Sequence, residues 1–380
     1  MRYQEGWSSS VILSDIIELS RLYGQNPDFV LAGGGNTSVK SNGALYVKAS
    51  GHRLADIDEA GFVALDLKKL TAITEKAYPS DEASAEAAVL ADMMAARIDG
   101  ETGRPSVEAL LHALFPQQFV VHLHPAMLNG LTCGKDGEGA VLCFLGFEAV
   151  WLDAVKPGYT LAMAAKKALD HAADDLGHFP SLLFLQNHGV FFAAETKEEM
   201  TALIDGTIEA IQPGISKVPS VQDDTADYAN TPAVQAALQT LSKSGRYVLF
   251  FSNSSLRAQS VGWSTVTSCA LTPDHVVYLG ESFCCVSHAE DLSEALPHFQ
   301  TAVGYSPKIV VLKGVGAFAI AAAESDAQTY RMFFTDFIKI NDYAKNFSGA
   351  RLMPDELTAF IRNWEVERYR QNVLIQAERG

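Results

Sequence analysis

The stretch "VVHLHP" (residues 120–125) joins an apolar run to two histidines and ends in a proline, a pattern that predicts a buried strand. Side chains alternate along a strand, so His122 and His124, two residues apart, are predicted to point to the same face. Two imidazoles buried together cost free energy unless their nitrogens are satisfied, and a divalent metal satisfies them. Because core histidines also occur on apolar strands, the metal interpretation needs a further ligand.

A third histidine follows in "QNHGVFF" (residues 186–192), at the predicted junction between a turn and another apolar strand. Three histidines that leave one coordination position open are typical of catalytic rather than structural zinc. We therefore predict that His122, His124 and His188 bind Zn²⁺ or another divalent metal, with plain burial in the core as the alternative.

Glu108 precedes these histidines in "PSVEALLHALFP" (residues 105–116), where Pro105 or Ser106 is predicted to begin a helix. A carboxylate in the first turn is favourable to the helix dipole, which would be a purely structural role. The functional alternative is a general acid/base facing the open side of the metal, with burial raising its basicity. His112, one turn further on, is interpreted as a packing residue or a support of the site.

The glycine stretch "GGGNTS" (residues 33–38) is predicted to join a short apolar strand to a second strand, which pairs with "ALYVKASG" (residues 44–51) through an "SNG" turn. It matches neither a Walker nor a dinucleotide-binding pattern. Backbone N–H groups and the polar side chains of such a stretch would suit a phosphate, and "ASG" (residues 49–51) would add donors. A plain hairpin is the alternative.

Two domains are predicted from a chain of 380 residues. The polar, proline-containing segment 213–232 is the predicted linker, so we expect a metal-binding domain over residues 1–222 and a C-terminal α/β domain without metal ligands over 223–380. In the second domain, "YVLFFS", "HVVYLG" and "KIVVLKGVGAFAIA" are predicted strands. Besides the helix that begins at Pro105 or Ser106, helices are predicted over four segments, 8–23, 81–98, 197–211 and 326–343.

The C-terminal half contains two stretches that are weakly similar to the segments with the histidines. "VLKGVGAFAIAAAES" is similar to "FLQNHGVFFAAET", and "HVVYLGE" is similar to "FVVHLHP", with Val315, Tyr278 and Gly280 in place of the three histidines. Either the second domain is a degenerate duplicate without a metal, or buried strands simply look alike.

Composition excludes several classes of partner. The net charge of −16 disfavours non-specific binding to nucleic acid. No apolar run approaches the roughly 20 residues of a membrane span. Five cysteines without a Cys-x-x-Cys pair indicate reduced thiols, and the N-terminus lacks the pattern of a signal peptide. We expect a cytoplasmic protein without nucleic-acid or membrane partners.

Together the motifs resemble the class II aldolase/adducin superfamily, because "GGNTS", "SG", "PS-x-E", "H-x-H-P" and "NHG" follow one another in that family's order. Within it the chain is most similar to the aldolase portion of bacterial rhamnulose-1-phosphate aldolase/alcohol dehydrogenase fusions. That likeness adds "GGGNTSVK", "LHALFP", "PDH" and a late "NWEVERYR" (residues 363–370).

The resemblance implies an α/β fold: a three-layer α/β/α arrangement with a central, largely antiparallel sheet, here followed by a smaller C-terminal α/β unit. It also implies a homo-oligomer, commonly a symmetric tetramer. By position it gives Zn²⁺ ligation to the three histidines and the acid/base role to Glu108. The residues that it assigns to a substrate phosphate are Gly35, Asn36, Ser50, Gly51 and Ser106. Val107 departs from the family, which often has a second serine there, and the family's tyrosine acid has no match that we can place.

Three functions follow from the resemblance. The first is zinc-dependent reversible retro-aldol cleavage of a ketose 1-phosphate to dihydroxyacetone phosphate and an aldehyde. The second is epimerisation or dehydration of a sugar phosphate at the same metal site. The third is a non-catalytic, adducin-like interaction protein, which the presence of all three histidines and Glu108 disfavours.

Overall fold

The computed structural model describes residues 9–363. These residues divide into two compact units, the first formed by 9–128 and 138–213 and the second by 129–137 and 214–363. Each unit is built around its own sheet. The stretch "NWEVERYR" begins at Asn363 and otherwise lies outside the described residues.

The first unit contains a seven-stranded sheet with the order β3-β2-β1-β4-β7-β6-β5. Its strands are β1 (Asn36–Ser41), β2 (Ala44–Lys48), β3 (Phe62–Asp66), β4 (Phe119–Leu123), β5 (Ala149–Leu152), β6 (Leu182–Leu185) and β7 (Gly189–Ala194). Every neighbouring pair is antiparallel except β5 and β6, which are parallel. The predicted central, largely antiparallel sheet is therefore confirmed.

Helices flank this sheet. They are α1 (Ser9–Gly24), α2 (Leu67–Ile73), α3 (Glu82–Ala95), α4 (Ala109–Leu114), α6 (Gly137–Leu145), α7 (Tyr159–Leu176) and α8 (Lys197–Ile211). A further helix, α5 (Ala126–Thr132), begins in the first unit and ends within residues 129–137 of the second. Every residue of β4 and of β7 is buried. Since strand side chains alternate between faces, burial of every residue requires that both faces be covered, as in a three-layer arrangement.

The main core of the first unit joins one face of the sheet to α2, α3, α4 and α7. Phe115, just after α4, stacks on Phe191 of β7 with ring centroids 6.1 Å apart, and both side chains are fully buried. Burial of each such ring contributes about 1.5–3 kcal/mol. The core therefore fixes α4, and with it Glu108, against the face of the sheet that carries His122.

The predicted hairpin between β1 and β2 is confirmed, with Asn42 and Gly43 both at positive φ, as a two-residue turn of this type requires. The short strand predicted before the glycine stretch is wrong, because residues 25–35 contain only turns and irregular backbone. The predicted helix start at Pro105 or Ser106 is also wrong. Pro105 forms a bridge with the chain just after β2, so α4 begins only at Ala109 and Glu108 immediately precedes it.

The second unit contains a five-stranded sheet with the order β8-β12-β11-β10-β9. Its strands are β8 (Tyr247–Phe251), β9 (Val266–Ser268), β10 (Ser282–Val286), β11 (Ile309–Leu312) and β12 (Gly316–Ala321). Its helices are α9 (Thr225–Tyr228), α10 (Pro232–Leu241), α11 (Ser254–Ser260), α12 (Pro273–Leu279), α13 (Leu292–Val303), α14 (Glu324–Ala344) and α15 (Asp355–Asn363). The predicted C-terminal α/β unit is therefore present.

Four strands of the second sheet repeat the connectivity of four strands of the first. The order β4-β7-β6-β5 corresponds to β8-β12-β11-β10, with the same parallel and antiparallel senses. The turns before β7 and β12 also match, because Asn187 and Gly314 both have positive φ. The next residue, His188 or Val315, donates its N–H to a carbonyl three residues earlier, at 3.1 and 3.0 Å. Val315 thus stands in the place of His188, as predicted.

The strand predicted over "HVVYLG" (residues 275–280) is wrong, because this stretch lies mainly in α12. Thr272 caps that helix by accepting a backbone N–H of the first turn, and Pro273 occupies the first turn itself. These two helix-start signals outweigh the strand propensity of the valines. Tyr278 and Gly280 therefore do not take the places of the histidines of the first unit.

The true counterparts follow from the register of the sheets. His122 lies opposite Phe191 in the β4–β7 pair, and Phe250 lies opposite Phe318 in the β8–β12 pair. Phe250 therefore takes the place of His122, and Ser252, two residues later, takes the place of the next histidine. Within residues 9–363, no helix has both the length and the apolar character needed to cross a membrane.

Candidate metal centre and active site

Three histidine side chains converge at one end of β4. His122 is fully buried near the end of the strand, His124 follows the strand, and His188 lies in the turn before β7, which pairs with β4. One ring nitrogen from each lies within 4.8 Å of the others, in an arrangement that could hold a metal ion. The structure thus brings together the three residues that the sequence singled out.

The donor set fits a divalent cation. The Nε2 atoms of His122 and His124 are 3.0 Å apart. Two ligands of one tetrahedral ion, bound at about 2.05 Å, are separated by roughly 3.3 Å, which is close to this spacing.

His122 is held in the orientation and the protonation state that a metal ligand needs. Its Nδ1–H donates to the carbonyl of Val190 at 3.1 Å, so Nε2 carries the lone pair that faces the cluster. The imidazole stacks on Phe191 with ring centroids 4.1 Å apart. Burial, more than any other influence, holds the pKa of His122 well below its usual value, so the ring is neutral at physiological pH.

Gly189 allows the turn to approach the two histidines of β4. A Cβ atom at this position would lie 2.5 Å from the carbonyl oxygen of Leu123 and 2.7 Å from Cδ2 of His124. Such distances are far inside van der Waals contact, so only glycine fits. The "NHG" motif therefore combines a ligand with the small residue that brings it into place.

Glu108 lies against this cluster. Its Oε2 is 3.6 Å from Nε2 of His122, and its Oε1 is 3.6 Å from Nε2 of His188. Burial raises the pKa of this carboxyl, but the nearby imidazoles and a hydrogen bond from Asn36 outweigh it and lower the pKa to about 2. Burial thus raises the basicity of Glu108 as expected, but the other contributions lower its net pKa, and the group is held as a carboxylate.

The glycine loop approaches the same site from β1. Gly35 has a φ of +62°, and a Cβ there would lie 2.9 Å from the carbonyl oxygen of His122. Asn36, expected to face a phosphate, instead donates its side-chain amide to Oε2 of Glu108 at 2.5 Å. The side chain of Asn36 thus contacts the carboxylate, while its backbone pairs with His122 in the β1–β4 ladder.

The remaining residues of the predicted phosphate cradle lie in two adjacent segments. Ser50 donates its backbone N–H to the segment just before Ser106, at 2.7 Å, and the N–H of Ser106 donates to the carbonyl of Lys48 at 3.0 Å. Gly51 follows with a φ of +92°. The hydroxyl of Ser106 accepts the backbone N–H of Glu108 at 3.2 Å. The two segments are therefore fixed to each other and to Glu108.

Lys48, which the sequence interpretation missed, is buried beside these segments. It is the last residue of β2, only 5% exposed, and its Nζ donates to the carbonyl of Gly33 at 3.3 Å. Its Nζ is thus adjacent to the glycine loop, and its backbone precedes the turn that contains Ser50 by two residues. The feature that could have pointed to Lys48 is a lysine at the end of an apolar strand, directly before "ASG".

The sequence matches the family described as Class II Aldolase and Adducin N-terminal domain over residues 14–212. This match covers more than half of the chain, which therefore belongs to that family. Over 195 residues, 49% of the chain, the sequence is 29% identical to a Bacillus subtilis (strain 168) protein named uncharacterized oxidoreductase YuxG. The aligned part spans 27% of the length of that relative.

Solved structures with similarity to this chain include the N-terminal class II aldolase domain of a conserved protein from Thermoplasma acidophilum. It is 28% identical, with a TM-score of 0.47, and the match covers 56% of this chain and 98% of that one. L-fuculose-1-phosphate aldolase from Thermus thermophilus is 18% identical, with a TM-score of 0.34 over 53% of this chain and 92% of the other.

Proposed function

We propose that this protein catalyses the reversible retro-aldol cleavage of a ketose 1-phosphate to dihydroxyacetone phosphate and an aldehyde. The observation that carries the proposal is the position of Glu108, whose two carboxylate oxygens each lie 3.6 Å from a histidine of the converging cluster. An acid/base group beside a cation site, in a chain of the class II aldolase family, fits this chemistry.

The metal would be held by His122, His124 and His188, and Zn²⁺ is the proposed ion. Neutral imidazoles leave the double charge of the cation undiminished. When bound, the ion would supply a Lewis acid that stabilises the negative charge left on the substrate when the C3–C4 bond breaks.

Glu108 would carry the proton at C3 of the substrate. In cleavage, the carboxylate of Glu108 would accept the proton of the C4 hydroxyl as that carbon becomes the aldehyde, the electron pair of the C3–C4 bond would stay with C3, and Glu108 would then return the proton to C3. In synthesis, the carboxylate removes the proton from C3. The lowered pKa of Glu108 keeps the group ionised for that direction.

A sugar phosphate is the proposed partner. Its phosphate would be bound by Gly35, Asn36, Ser50, Gly51 and Ser106, and by the ammonium of Lys48. The buried Nζ of Lys48, 3.3 Å from the carbonyl of Gly33 in the glycine loop, supports an anionic ligand. It could also offset the hydroxyl lost where Val107 replaces the family's second serine.

We further propose a homo-oligomer, a tetramer on the pattern of the family, in the cytoplasm. All five cysteines are free thiols in the structure, which supports a reducing compartment. Residues 1–222 would form the metal-binding domain and residues 223–380 a domain without metal ligands. Light scattering on the purified chain tests the oligomeric state.

The test of the reaction uses purified protein and a panel of rhamnulose, fuculose, ribulose and xylulose 1-phosphates. A coupled reductase follows the release of dihydroxyacetone phosphate, with and without a chelator. We expect chelator-sensitive release from at least one substrate, and loss of both metal and cleavage in His122→Ala. The matched control is His171→Ala, which changes an exposed histidine on α7 and should alter neither.

Other results would overturn the proposal, and each would indicate a different function or a different site. Interconversion of two ketose phosphates without triose release would favour an epimerase. A chain that purifies without metal and turns over none of the panel would favour an adducin-like role. Full activity in His122→Ala would exclude the metal site as the centre of the reaction.

A further inference from the structure

We propose that His112 is the positioning residue for Glu108, acting through the side chain of Asn36. This inference rests on the proposed acid/base role of Glu108. The four side chains Ser38, His112, Asn36 and Glu108 form one hydrogen-bonded chain, and none is more than 8% exposed. The chain ends on the carboxylate oxygen that lies 3.6 Å from His122.

The local structure explains why these side chains meet. Glu108 immediately precedes α4, and His112 follows four residues later, so the two project from one side of the helix. Asn36 and Ser38 lie two residues apart on β1 and share one face of the sheet. The ring of Phe191 meets the ring of His112 edge-on, with centroids 5.4 Å apart, and closes the space below.

The chemistry of the groups fixes the direction of every hydrogen bond. A carboxylate only accepts, so Asn36 must present Nδ2 to Glu108, at 2.5 Å. Its Oδ1 then faces Nε2 of His112 and must accept a proton from it. The remaining nitrogen, Nδ1, lies 2.7 Å from Oγ of Ser38 and accepts the hydroxyl proton. His112 is therefore the Nε2–H tautomer.

A single ring proton is also what the burial of His112 requires. Burial is the main reason that the pKa of His112 is lowered to about 3, with Glu108 opposing the shift and Lys40 and Lys48 adding to it. The neutral ring therefore has one donor and one acceptor, and both are used.

Without the Nε2–H donor, only the hydrogen bond to Glu108 would orient the amide of Asn36, and its buried Oδ1 would have lost its partner. The amide would then be free to tilt away from the carboxylate. The carboxylate would lose its support at the distance from His122 and His188 that the reaction needs. The ring of His112 thus acts on the carboxylate of Glu108 through Asn36, in addition to the backbone hydrogen bond from the N–H of His112 to the carbonyl of Glu108 at 3.2 Å.

The experiment combines spectroscopy with kinetics on the full-length chain. Imidazole ¹⁵N NMR of metal-free protein reads the tautomer of His112, with His112→Gln providing the assignment. Kinetics then compare three variants with the wild type: His112→Phe, which keeps a ring but removes both hydrogen bonds, His112→Gln, which retains an N–H donor, and Ser38→Ala, which removes only the far donor.

We expect the Nε2–H tautomer in the wild type. His112→Phe should lower kcat by roughly 10- to 100-fold, with KM and metal content unchanged, as for other residues that orient a site from outside. His112→Gln should recover part of that loss, and Ser38→Ala should show a smaller loss. If His112→Phe fails to fold, the tautomer of His112 and the kinetics of the other two variants still test its positioning role.

An Nδ1–H or charged ring would overturn the inference, as would a kcat in the variants that equals that of the wild type. A fall in activity that merely follows a fall in folded protein or bound metal would also overturn it, since that indicates packing alone. An inactive wild type with the Nε2–H tautomer would refute the proposed reaction and still support the hydrogen-bonded chain.

Discussion

His122 and Phe250 occupy equivalent positions in the two sheets, each directly opposite a phenylalanine of the neighbouring strand. In the first sheet that phenylalanine, Phe191, stacks on an imidazole at 4.1 Å, whereas in the second Phe318 meets another phenyl ring at 5.1 Å. The same framework thus supports a ligand in one unit and an apolar contact in the other.

This relationship predicts one metal ion per chain rather than two. Phe250, Ser252 and Val315 replace the three ligands in the second unit, and a phenyl ring and an isopropyl group offer no donor. Elemental analysis of the purified protein should give a ratio close to one, and Phe250→Leu should leave it unchanged. A ratio of two that falls to one in Phe250→Leu would contradict the prediction.

Gly189→Ala is expected to destabilise the protein and weaken metal binding. The added Cβ would overlap the carbonyl oxygen of Leu123 and the ring of His124, and overpacking of this kind costs about 1–3 kcal/mol. Urea unfolding measures the change. The control is Gly206→Ala in α8, where a Cβ meets nothing within 4 Å, so the helix should gain up to about 1 kcal/mol. Equal effects of the two substitutions would refute the steric argument.

Lys48→Met should raise KM for a phosphorylated substrate by roughly 10-fold or more, with a smaller effect on kcat. The physical reason is the loss of a hydrogen bond between charged groups, which contributes about 1.5–3 kcal/mol. Steady-state kinetics of the cleavage reaction measure the effect, and Lys69→Met on the exposed side of α2 is the control. An unchanged KM would remove Lys48 from the phosphate site.

The stability of the protein should rise with pH through the titration of Lys40. Burial lowers the pKa of Lys40 to about 7 from its usual 10.5, with Glu195 opposing the shift. Between these values the unfolded chain binds the proton and the folded chain does not, so the free energy of unfolding increases with pH, by at most about 1.4 kcal/mol per unit. Below pH 7 the folded protein bears the cost of a buried charge.

The measurement compares urea unfolding of the wild type and Lys40→Met from pH 6 to pH 9. The variant should be more stable than the wild type at pH 6, and that advantage should shrink as the pH rises. The free energy of unfolding of Lys68→Met, at an exposed position of α2, should change with pH in parallel with that of the wild type. A constant difference between wild type and Lys40→Met would show that Lys40 does not titrate in this range.

The sequence predicted the features that depend on local patterns. The two-residue turn at Asn42 and Gly43 has the residues that positive φ requires, and the helix over residues 197–211 has Thr196 as its N-cap. The histidine set was also predictable, because alternation along one strand places two of its members and "NHG" supplies the third.

Features that depend on long-range contacts were not predictable. Nothing in the residues around His112 indicates that its ring contacts Asn36, which is 76 positions earlier in the chain. The late start of α4 depends on the bridge between Pro105 and the chain after β2. The lowered pKa of Glu108 likewise depends on histidines from two other elements, so the sequence around Glu108 does not predict it.

During synthesis of this chain, one segment is made long before the residues that it packs against. Residues 129–137 belong to the second unit, where a Cβ on Gly130 would lie 2.2 Å from Tyr343 and Gly134 forms a bridge with Ala350. At about 5–20 residues per second, a ribosome adds those partners roughly 10 to 40 s after the segment itself. The seven-stranded sheet can therefore be complete while residues 129–137, between β4 and β5, still lack their contacts with the rest of the second unit. During that interval these residues would be accessible to chaperones.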